Sequence, residues 1–458
     1  MTGAFVDRHE LVGGFDRDRL DETLERLREH RVTNVLVSMC DGSGVSRVKA
    51  VATETFEDAA RNGVPYQSGV LSLDNGGAFV FGTGFDFELA GRCFLLLPDP
   101  ASLMLTPWHP GTAVVMADPY FEDGSPVEAA PRLVLRRQLE ALAARGLAVT
   151  WGWELEFYTF TRGADGAPLP TTPDMQALHQ VRHRQATPLF DALTRGLEGA
   201  GIALTDLIQE YGPGQLEVNF GPADGLAAVD RAFAFRYAVK EIAASVGLLA
   251  TFMTKPLAGR PASACHLHAS LTDAAGANVF DDPHATDGIS DVLRAWINGH
   301  IAHAPALTAL CAQTVNGYKR FVPNSFAPHA ISWGLENRTT MLRVPLARGR
   351  GTRLENRLPE AATNPYVAAA GCLVAGLLGL DAGPDAPHFV EANAYVEELP
   401  PLPPTLEAAL TALEADHAVA SRLGAPFMQL YAAVKRNEIA RFHAAVTDWE
   451  RAEYLELV

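Results

Sequence analysis

Apolar and polar residues follow two different periods along the first part of the chain. The charged stretch RDRLDETLERLREHRV, residues 17–32, has apolar residues at helical spacing and predicts a helix. The next stretch, NVLVSMCDGSGVSRVKAV, predicts a strand, an Asp-Gly turn and a second strand. The apolar runs CFLLLPD and TAVVMAD predict further strands. Together these elements indicate a small mixed domain with its own sheet that ends near residue 116.

Beyond that point, helical stretches alternate with short strands that carry charged residues. The stretch RLVLRRQLEALAARGL predicts a helix, and strands are expected in WGWELEF, GQLEVNF, HLHAS and TRLENRL. Charged residues on a strand usually mark a solvated face, so each strand taken singly is weak evidence for a site. The apolar run over residues 367–380 is too short to cross a bilayer and predicts a buried helix.

Composition is that of an ordinary soluble globular protein. The 458 residues are 48% hydrophobic and 20% charged, which allows a large core and two domains. With 37 basic and 54 acidic side chains the formal charge is -17, and no Lys/Arg run is present. A nucleic acid or an anionic membrane surface is therefore not an expected partner. An acidic balance also suits a site that holds metal cations.

Cysteine usage indicates a reducing compartment. The five cysteines are scattered and form no CxxC pair, which argues against a disulfide framework and against a zinc knuckle. The N-terminal stretch MTGAFVDRHELVGGF lacks the apolar segment of a secretory signal. A cytoplasmic protein is expected.

The stretch WGWELEF places two carboxylates, Glu154 and Glu156, two positions apart among large apolar residues. Residues i and i+2 of a strand point to the same face, so these acids would lie side by side. Like charges at that distance repel, and at least one carboxyl would have its pKa raised. The pair therefore predicts a positive partner opposite it.

Other charged residues share this spacing or flank a tight turn. Five carboxylates and one histidine form a ligand set that Mg²⁺ or Mn²⁺ prefers, and six ligands are too many for one Mg²⁺, so two or more ions are expected. Arginines nearby in the sequence offer planar donors to phosphate or carboxylate, and metals together with arginines indicate phosphoryl transfer. The chain has no GxxxxGK[ST], kinase glycine-loop, dinucleotide GxGxxG or GxSxG motif. The clusters are Glu154 and Glu156; His266 and His268; Arg353, Glu355 and Arg357; Glu210 and Glu217 around a Gly-Pro-Gly turn; and Arg338 with Arg343.

Seven ordered motifs resemble those of the glutamine synthetase superfamily. They are WELEF, EYGPGQLE, ATFMTKP, CHLHASL, VNGYKRFVP, ENRTTMLRVP and TRLENRLPEAATNPY. The resemblance implies an α+β fold, with an N-terminal β-grasp domain over residues 15–116 and a catalytic domain over residues 117–458. The catalytic domain would have a curved antiparallel sheet that forms a bifunnel. It also implies a homo-oligomer, commonly a dodecamer of two hexameric rings.

The resemblance further implies how the site works. Glutamate would be activated by ATP as γ-glutamyl phosphate, which an amine then attacks, and the cofactors would be two or more Mg²⁺ or Mn²⁺ ions. By motif position, Glu156, Glu210 and Glu217 resemble ligands of the metal nearer the glutamate, and Glu154, His266 and Glu355 those of the metal at the ATP phosphates. The remaining candidates are Arg338, Arg343 and Arg353 for the phosphoryl group; His268, Ser270 and Arg350 for the nucleotide; and Arg320, Arg357, Gln215 and Phe326 for the substrates.

The chain departs from the superfamily pattern where ammonium would bind. Glutamine synthetases carry a flap glutamate after the Tyr-Lys-Arg motif, whereas this chain has Phe326 in FVPNSFAP. The N-terminal stretch GVPYQSGVLSLD also has no acid at the matched place. Ala262 and Ala264 stand where relatives carry glycines near the amino-acid substrate. Losing carboxylates that complement ammonium predicts an amine with a carbon substituent.

The expected function is ATP-dependent ligation of L-glutamate to a primary amine, which gives a γ-glutamylamide. The amine would be a monoamine such as ethanolamine or an alkylamine, or a polyamine. The absence of an acidic residue near Phe326 favours a monoamine over a polyamine. The alternatives are an ordinary glutamine synthetase with a rebuilt ammonium site and a noncatalytic superfamily member.

Overall fold

A computed structural model of the chain describes residues 3–11, 17–86, 89 and 91–458. The predicted start of the N-terminal domain at residue 15 lies outside the described residues. The helix predicted after it is confirmed as α2, which ends at Glu29 rather than continuing to residue 32. The N-terminal elements are α1 (Phe5–Arg8), α2 (Arg17–Glu29), β1 (Asn34–Cys40), β2 (Ser46–Ala52), α3 (Phe56–Asn62), β3 (Val64–Gln67), β4 (Cys93–Pro98), β5 (Met104–Leu105) and β6 (Thr112–Tyr120).

The N-terminal strands form one sheet in the order β2-β1-β6-β4-β3, with β5 also paired to β6. The predicted hairpin is confirmed as β1 and β2, and its turn is fixed because the Asp41 carboxylate accepts 2.9 Å hydrogen bonds from the amides of Ser43 and Val45. Strand β1 lies parallel to β6, and the sequence patterns did not predict this pairing. The predicted boundary at residue 116 falls within β6, and the division at that point, like the β-grasp name, stays a prediction.

A ten-stranded sheet carries the rest of the strands. Its main path runs β14-β15-β16-β13-β7-β10-β9, with β8, β11 and β12 also paired to β7. The pairs are antiparallel except β14 with β15. The strands are β7 (Leu147–Arg162), β8 (Pro168–Pro170), β9 (Leu204–Gln209), β10 (Gln215–Phe220), β11 (Ala223–Asp224), β12 (Leu249–Thr251), β13 (Cys265–Asp273), β14 (Trp333–Leu335), β15 (Leu342–Val344) and β16 (Leu354–Asn356).

Helices bury one face of this sheet and leave the other to the site. Along β7, Trp151, Trp153 and Leu155 are fully buried, while the alternate positions are only half-buried. Because strand side chains alternate between faces, the acids of β7 lie opposite the core. The helices are α4 (Pro131–Ala143), α5 (Gln180–Gly199), α6 (Gly225–Ser245), α7 (Asp291–Ala302), α8 (Ala304–Cys311), α9 (Pro365–Ala382), α10 (Leu406–Ala415), α11 (His417–Leu423), α12 (Ala425–Ala444) and α13 (Asp448–Tyr454).

Helix α9 contains the apolar run of residues 367–380 and is a buried core helix, as predicted. It is longer than the run, and within the described chain it alone has the length and composition to cross a membrane. Of its apolar window, 78% is buried inside the protein. Helices α4, α7 and α8 pack against it, so burial in the core accounts for its hydrophobicity.

Buried ion pairs tie the N-terminal sheet to the larger part of the chain. Arg132 of α4 contacts Asp99 at 2.6 Å and Asp118 at 2.7 Å, and it also contacts Asp230 of α6 at 2.9 Å. One guanidinium thereby joins β6, α4 and α6. The N-terminal sheet is thereby joined to two helices that contact β7 of the large sheet.

Candidate active site

The site is built on four neighbouring strands of the large sheet, β16, β13, β7 and β10. Across β7 and β10, Glu156 pairs in register with Glu217, and across β7 and β13, Glu154 pairs with His266. The two acids of WGWELEF therefore share one face of β7, as the spacing predicts. Their partners come from opposite sides of the strand.

Glu154 lies between the two histidines of β13. Its Oε2 is 3.2 Å from His266 Nδ1, and its Oε1 is 2.8 Å from His268 Nε2. Glu355 of β16 completes the group, with its Oε1 3.6 Å from His266 Nδ1. Ligand atoms of Glu154, His268 and Glu355 all lie within 4.8 Å of one another. The sequence assigned His266 to a metal and His268 to the nucleotide, and the structure brings both to the same carboxylate.

The protonation of this group suits cation binding. Burial alone would raise the pKa of Glu154, but the hydrogen bonds to His266 and His268 outweigh burial and hold the pKa below its usual value. Burial opposes and Arg357 favours ionisation of Glu355, whose pKa falls to about 2. Burial and the charge of Arg357 lower the pKa of His266 to about 4, so this imidazole is neutral at pH 7 and free to act as a ligand.

A second group of acids lies on the other side of β7. Burial, followed by repulsion from Glu210, raises the pKa of Glu156 to about 7. Burial and repulsion from Glu156 raise the pKa of Glu217 to about 9, and burial raises that of Glu210. Among the described residues, no Lys or Arg lies within 4.0 Å of these three carboxylates. Buried carboxylates that repel one another without a cationic side chain in direct contact fit a divalent cation.

Amide side chains orient these acids. Gln215 Nε2 donates to Glu156 Oε2 at 3.0 Å, and the amide of Ala264 donates to the same oxygen at 3.0 Å. Asn219 Nδ2 donates to Glu217 Oε1 at 2.8 Å. Each carboxylate keeps another oxygen that these bonds do not use, which leaves room for a ligand.

A tight turn brings Glu210 and Glu217 together. The Gly-Pro-Gly turn joins β9 to β10, and Gly214 has φ +74, which favours glycine. A Cβ at Gly214 would lie 2.6 Å from the carbonyl oxygen of Thr159 on β7. The amide of Gly214 donates to Thr172 Oγ1 at 2.7 Å. Only glycine allows the turn to lie this close to β7.

The arginines predicted for the phosphoryl group have different surroundings. Arg343 bridges Glu355 and Glu336, with 2.6 Å to each carboxylate. Arg353 Nε lies 3.2 Å from His268 Nδ1. Arg338 is exposed, and its charge stabilises the carboxylates of Glu210 and Glu336. All three therefore lie at the acid clusters.

An open cavity of about 340 Å³ borders the Glu154 group. The three residues predicted for the nucleotide line this cavity, and so does Arg353. The cavity is thus a binding space directly beside the candidate metal ligands. The lining residues that matter here are Glu154, His268, Ser270, Arg350 and Arg353.

The predicted substrate arginines are buried near the strand β16. Arg320 donates to the carbonyl oxygens of Arg357 at 2.8 Å and Leu358 at 3.1 Å, so it supports the main chain. Arg357 pairs with Glu355 and donates to the carbonyl oxygen of Phe326 at 3.0 Å. The ring of Phe326 is 67% exposed, and its backbone has φ 58.

Sequence reasoning did not predict the contacts of three residues that shape the site. Glu336 is an anchor for Arg343, and nothing in the local pattern indicates this. Tyr395 donates to the carbonyl oxygen of Ala327 at 3.0 Å from a distant loop. Asn219 alone had a signal, because it lies two residues after Glu217 on the same face of β10.

Residues 128–454 match the family model for the glutamine synthetase catalytic domain. The chain belongs to the glutamine synthetase family. The predicted α+β fold with this catalytic domain and the prediction of an ATP-dependent carbon–nitrogen ligase are thereby confirmed.

Individual relatives within the family include ligases named for an amine. A γ-glutamylethanolamide synthetase of Streptomyces coelicolor is 39% identical over 78% of this chain and 78% of its own length. A glutamate–methylamine ligase of Methyloversatilis universalis is 32% identical over 95% of this chain and 99% of its own. The solved GmaS–ADP complex superposes with a TM-score of 0.84 at 33% identity, covering 94% of this chain and 99% of that one. Proteins named glutamine synthetase are also similar, at 31% to 34% identity.

Proposed function

We propose that this protein joins the γ-carboxyl group of L-glutamate to a primary monoamine, using ATP, and so produces a γ-glutamylamide. An alkylamine or an amino alcohol such as ethanolamine is the proposed nucleophile. The relatives named γ-glutamylethanolamide synthetase and glutamate–methylamine ligase support this class of amine.

The observation that carries the proposal is the surroundings of Phe326. Its carbonyl oxygen is bound by Arg357, the residue that also pairs with Glu355 in the cluster, so the backbone of Phe326 lies at the edge of the site. An exposed aromatic ring offers no charge to an ammonium ion but gives apolar contact to an alkyl group. An apolar wall beside an otherwise complete acid and arginine set favours an amine with a carbon substituent over ammonia.

The rest of the site supplies what the two chemical steps need. First, a γ-carboxylate oxygen of glutamate attacks the terminal phosphorus of ATP, the bond to ADP breaks, and γ-glutamyl phosphate forms. The amine nitrogen then attacks the acyl carbon, the carbon–oxygen bond to phosphate breaks with its electrons on phosphate, and the nitrogen loses a proton. Arg338 and Arg353 are proposed to bind phosphoryl oxygens, and Arg343 to fix Glu355 in place.

The acid clusters are proposed to hold two or more Mg²⁺ or Mn²⁺ ions. When bound, these ions neutralise phosphate charge and polarise the reacting phosphoryl group. Glu154, Glu355 and His266 would hold one ion beside the cavity, and Glu156, Glu210 and Glu217 another. Their opposite pKa behaviour supports this division, because neighbouring side chains favour the ionised forms of Glu154 and Glu355, whereas burial and mutual repulsion raise the pKa of Glu156 and Glu217.

We also propose a homo-oligomer, a dodecamer of two hexameric rings. Apolar side chains exposed at the C-terminal end of the chain support subunit contact, because a cluster of this kind is rarely left in water. Light scattering of the purified protein measures this directly. The exposed residues are Val446, Trp449, Leu455 and Leu457.

The proposed activity is tested by phosphate release from ATP in the presence of Mg²⁺ and L-glutamate, with and without each of a panel of primary amines. Mass spectrometry then identifies the product. Phosphate release that requires a monoamine and yields its γ-glutamylamide supports the proposal. Release with ammonium alone would instead identify a glutamine synthetase, and no release with any amine would contradict the ligase function.

A further inference from the structure

Two successive carbonyl groups beside the site are held by side chains from other parts of the chain. We call residues 321–328, which include Phe326, the flap. Arg357 donates to the carbonyl oxygen of Phe326 at 3.0 Å, and Tyr395 Oη donates to that of Ala327 at 3.0 Å. Ala327 is 4% exposed, whereas Phe326 is 67% exposed. The backbone of the flap is fixed while its ring remains available for contact.

Tyr395 is itself fixed from two directions. Its ring lies against that of His329, with 5.2 Å between the centroids, and its amide donates to Asn393 Oδ1 at 3.0 Å. The phenol oxygen thus reaches the flap from a half-buried ring that has few alternatives.

The segment that carries Tyr395 is also bound to the loop of Arg338. We call residues 390–395 the strap. Asn337 Nδ2 donates to the carbonyl oxygens of Val390 at 3.1 Å and Ala392 at 2.6 Å, and the amide of Ala394 donates to Thr339 Oγ1 at 2.9 Å. These two anchors flank Arg338 in the sequence. The strap therefore connects the flap to the loop that carries this arginine.

We propose that Tyr395 is a positioning residue that determines where the Phe326 ring meets the amine. The inference rests on the proposed function, because it assigns Phe326 to the amine side of the site. Tyr395 touches no reacting group. It acts through the carbonyl of Ala327, next to Phe326, so losing the phenol oxygen would let the ring move without changing any candidate metal ligand.

The test is the Tyr395→Phe variant, which removes one hydroxyl and keeps the ring. One hydrogen bond of this kind corresponds to a change of about 3- to 10-fold in an equilibrium. We therefore expect the KM for the amine to rise by about 3- to 10-fold, with the KM for glutamate and the kcat at saturating amine nearly unchanged. The preference for the alkylamine over ammonium should fall as well.

A matched control removes a tyrosine hydroxyl of the same kind elsewhere. Tyr431 Oη donates to the carbonyl oxygen of Ala309 at 2.6 Å in the helical core. Tyr431→Phe should lower the melting temperature and leave the KM for the amine unchanged. Thr339→Val supplies a second probe, because it loosens the strap but keeps the Tyr395 hydroxyl, and it should also raise the KM for the amine.

The outcomes separate this inference from the proposed function. If the unaltered protein shows no amine-dependent turnover, the proposed function is wrong and the inference falls with it. If the unaltered protein uses the amine and Tyr395→Phe has the same amine KM and the same preference over ammonium, only the role of Tyr395 is overturned. A lower melting temperature as its sole effect, as expected for Tyr431→Phe, would likewise show a structural role.

Discussion

Arg357 donates a 3.0 Å hydrogen bond to the carbonyl oxygen of Phe326 and, through the same guanidinium, pairs with the carboxylate of Glu355. One side chain thus links the flap with a candidate metal ligand. The backbone of Phe326, the residue expected to replace the flap glutamate, is therefore held by an arginine that also contacts a candidate metal ligand. Changing residue 326 should alter the choice of amine without removing the phosphoryl-transfer residues.

We predict that Phe326→Glu shifts the enzyme towards ammonium. A new carboxylate complements a cation and removes apolar contact with an alkyl group, so the ratio of kcat/KM for ammonium to that for the alkylamine should rise by about 10- to 100-fold. Phe326→Leu is the matched control, because it keeps an apolar side chain at φ 58, and it should retain the preference for the alkylamine. Equal ratios in the two variants would contradict the role of Phe326.

Replacing a repelling acid should stabilise the metal-free protein. Burial and neighbouring carboxylates raise the pKa of Glu217 to about 9, so its charge is unfavourable without a cation. Glu217→Gln is expected to raise the melting temperature in the presence of a chelator and to lower turnover by about 100-fold or more through loss of a ligand.

The matched control for that variant is Glu360→Gln. Glu360 is also buried, but it accepts hydrogen bonds from Thr254, Gln313 and Thr314. Its replacement should lower the melting temperature. Destabilisation of the metal-free protein by Glu217→Gln would contradict the cation site.

The stability of the metal-free protein should fall as the pH rises. The folded state raises the pKa of Glu156 to about 7 and of Glu217 to about 9, above the ordinary 4.5 of a glutamate. Their protonated forms therefore favour folding, fully below about pH 4.5, and this contribution is lost as the pH rises through 7 and 9. Glu355, with a pKa of about 2, titrates below this window.

Melting temperatures at about pH 6 and about pH 8.5, with chelator or with Mg²⁺, check this prediction. Mg²⁺ should largely reverse the decrease in melting temperature at the higher pH. Burial also raises the pKa of Glu360, which is not a candidate ligand, so part of the slope should remain when metal is present. If the melting temperature fell equally between the two pH values with and without Mg²⁺, Glu156 and Glu217 would not bind Mg²⁺.

The turn at Gly214 gives a prediction about geometry. Gly214→Ala places a Cβ 2.6 Å from the Thr159 carbonyl oxygen at φ +74, whereas Gly201→Ala meets nothing within 4 Å at a similar φ of +84. Both variants place an alanine at a positive φ, which costs stability. Gly214→Ala should lower the free energy of unfolding by about 1–3 kcal/mol more than Gly201→Ala because of the clash. Denaturant unfolding measures the difference. Turnover should fall only in the Gly214 variant, since that turn positions Glu210 and Glu217.

Local patterns predicted the parts of the site that lie within one strand. The spacing of Glu154 and Glu156 among buried tryptophans is enough to place both on one face of β7. The motif resemblance then assigned residues from separate segments to one site. The structure brings these segments together through the sheet order β16-β13-β7-β10.

Sequence patterns did not predict the contacts between distant loops. The Tyr395–Ala327 bond joins residues 68 positions apart, and the Arg343–Glu336 pair requires Glu336 to adopt φ 50. Neither hydrophobic period nor motif position specifies such geometry. For the same reason the parallel pairing of β1 with β6 appears only in the structure.

The most direct test of the account is a competition experiment in which the purified protein receives ATP, Mg²⁺ and L-glutamate with ammonium and ethanolamine or an alkylamine at equal concentration. Mass spectrometry measures the two products in the same sample. The account predicts that the γ-glutamylamide of the monoamine dominates and that glutamine is a minor product. Glutamine as the main product would contradict the assignment of Phe326 to an amine-binding wall.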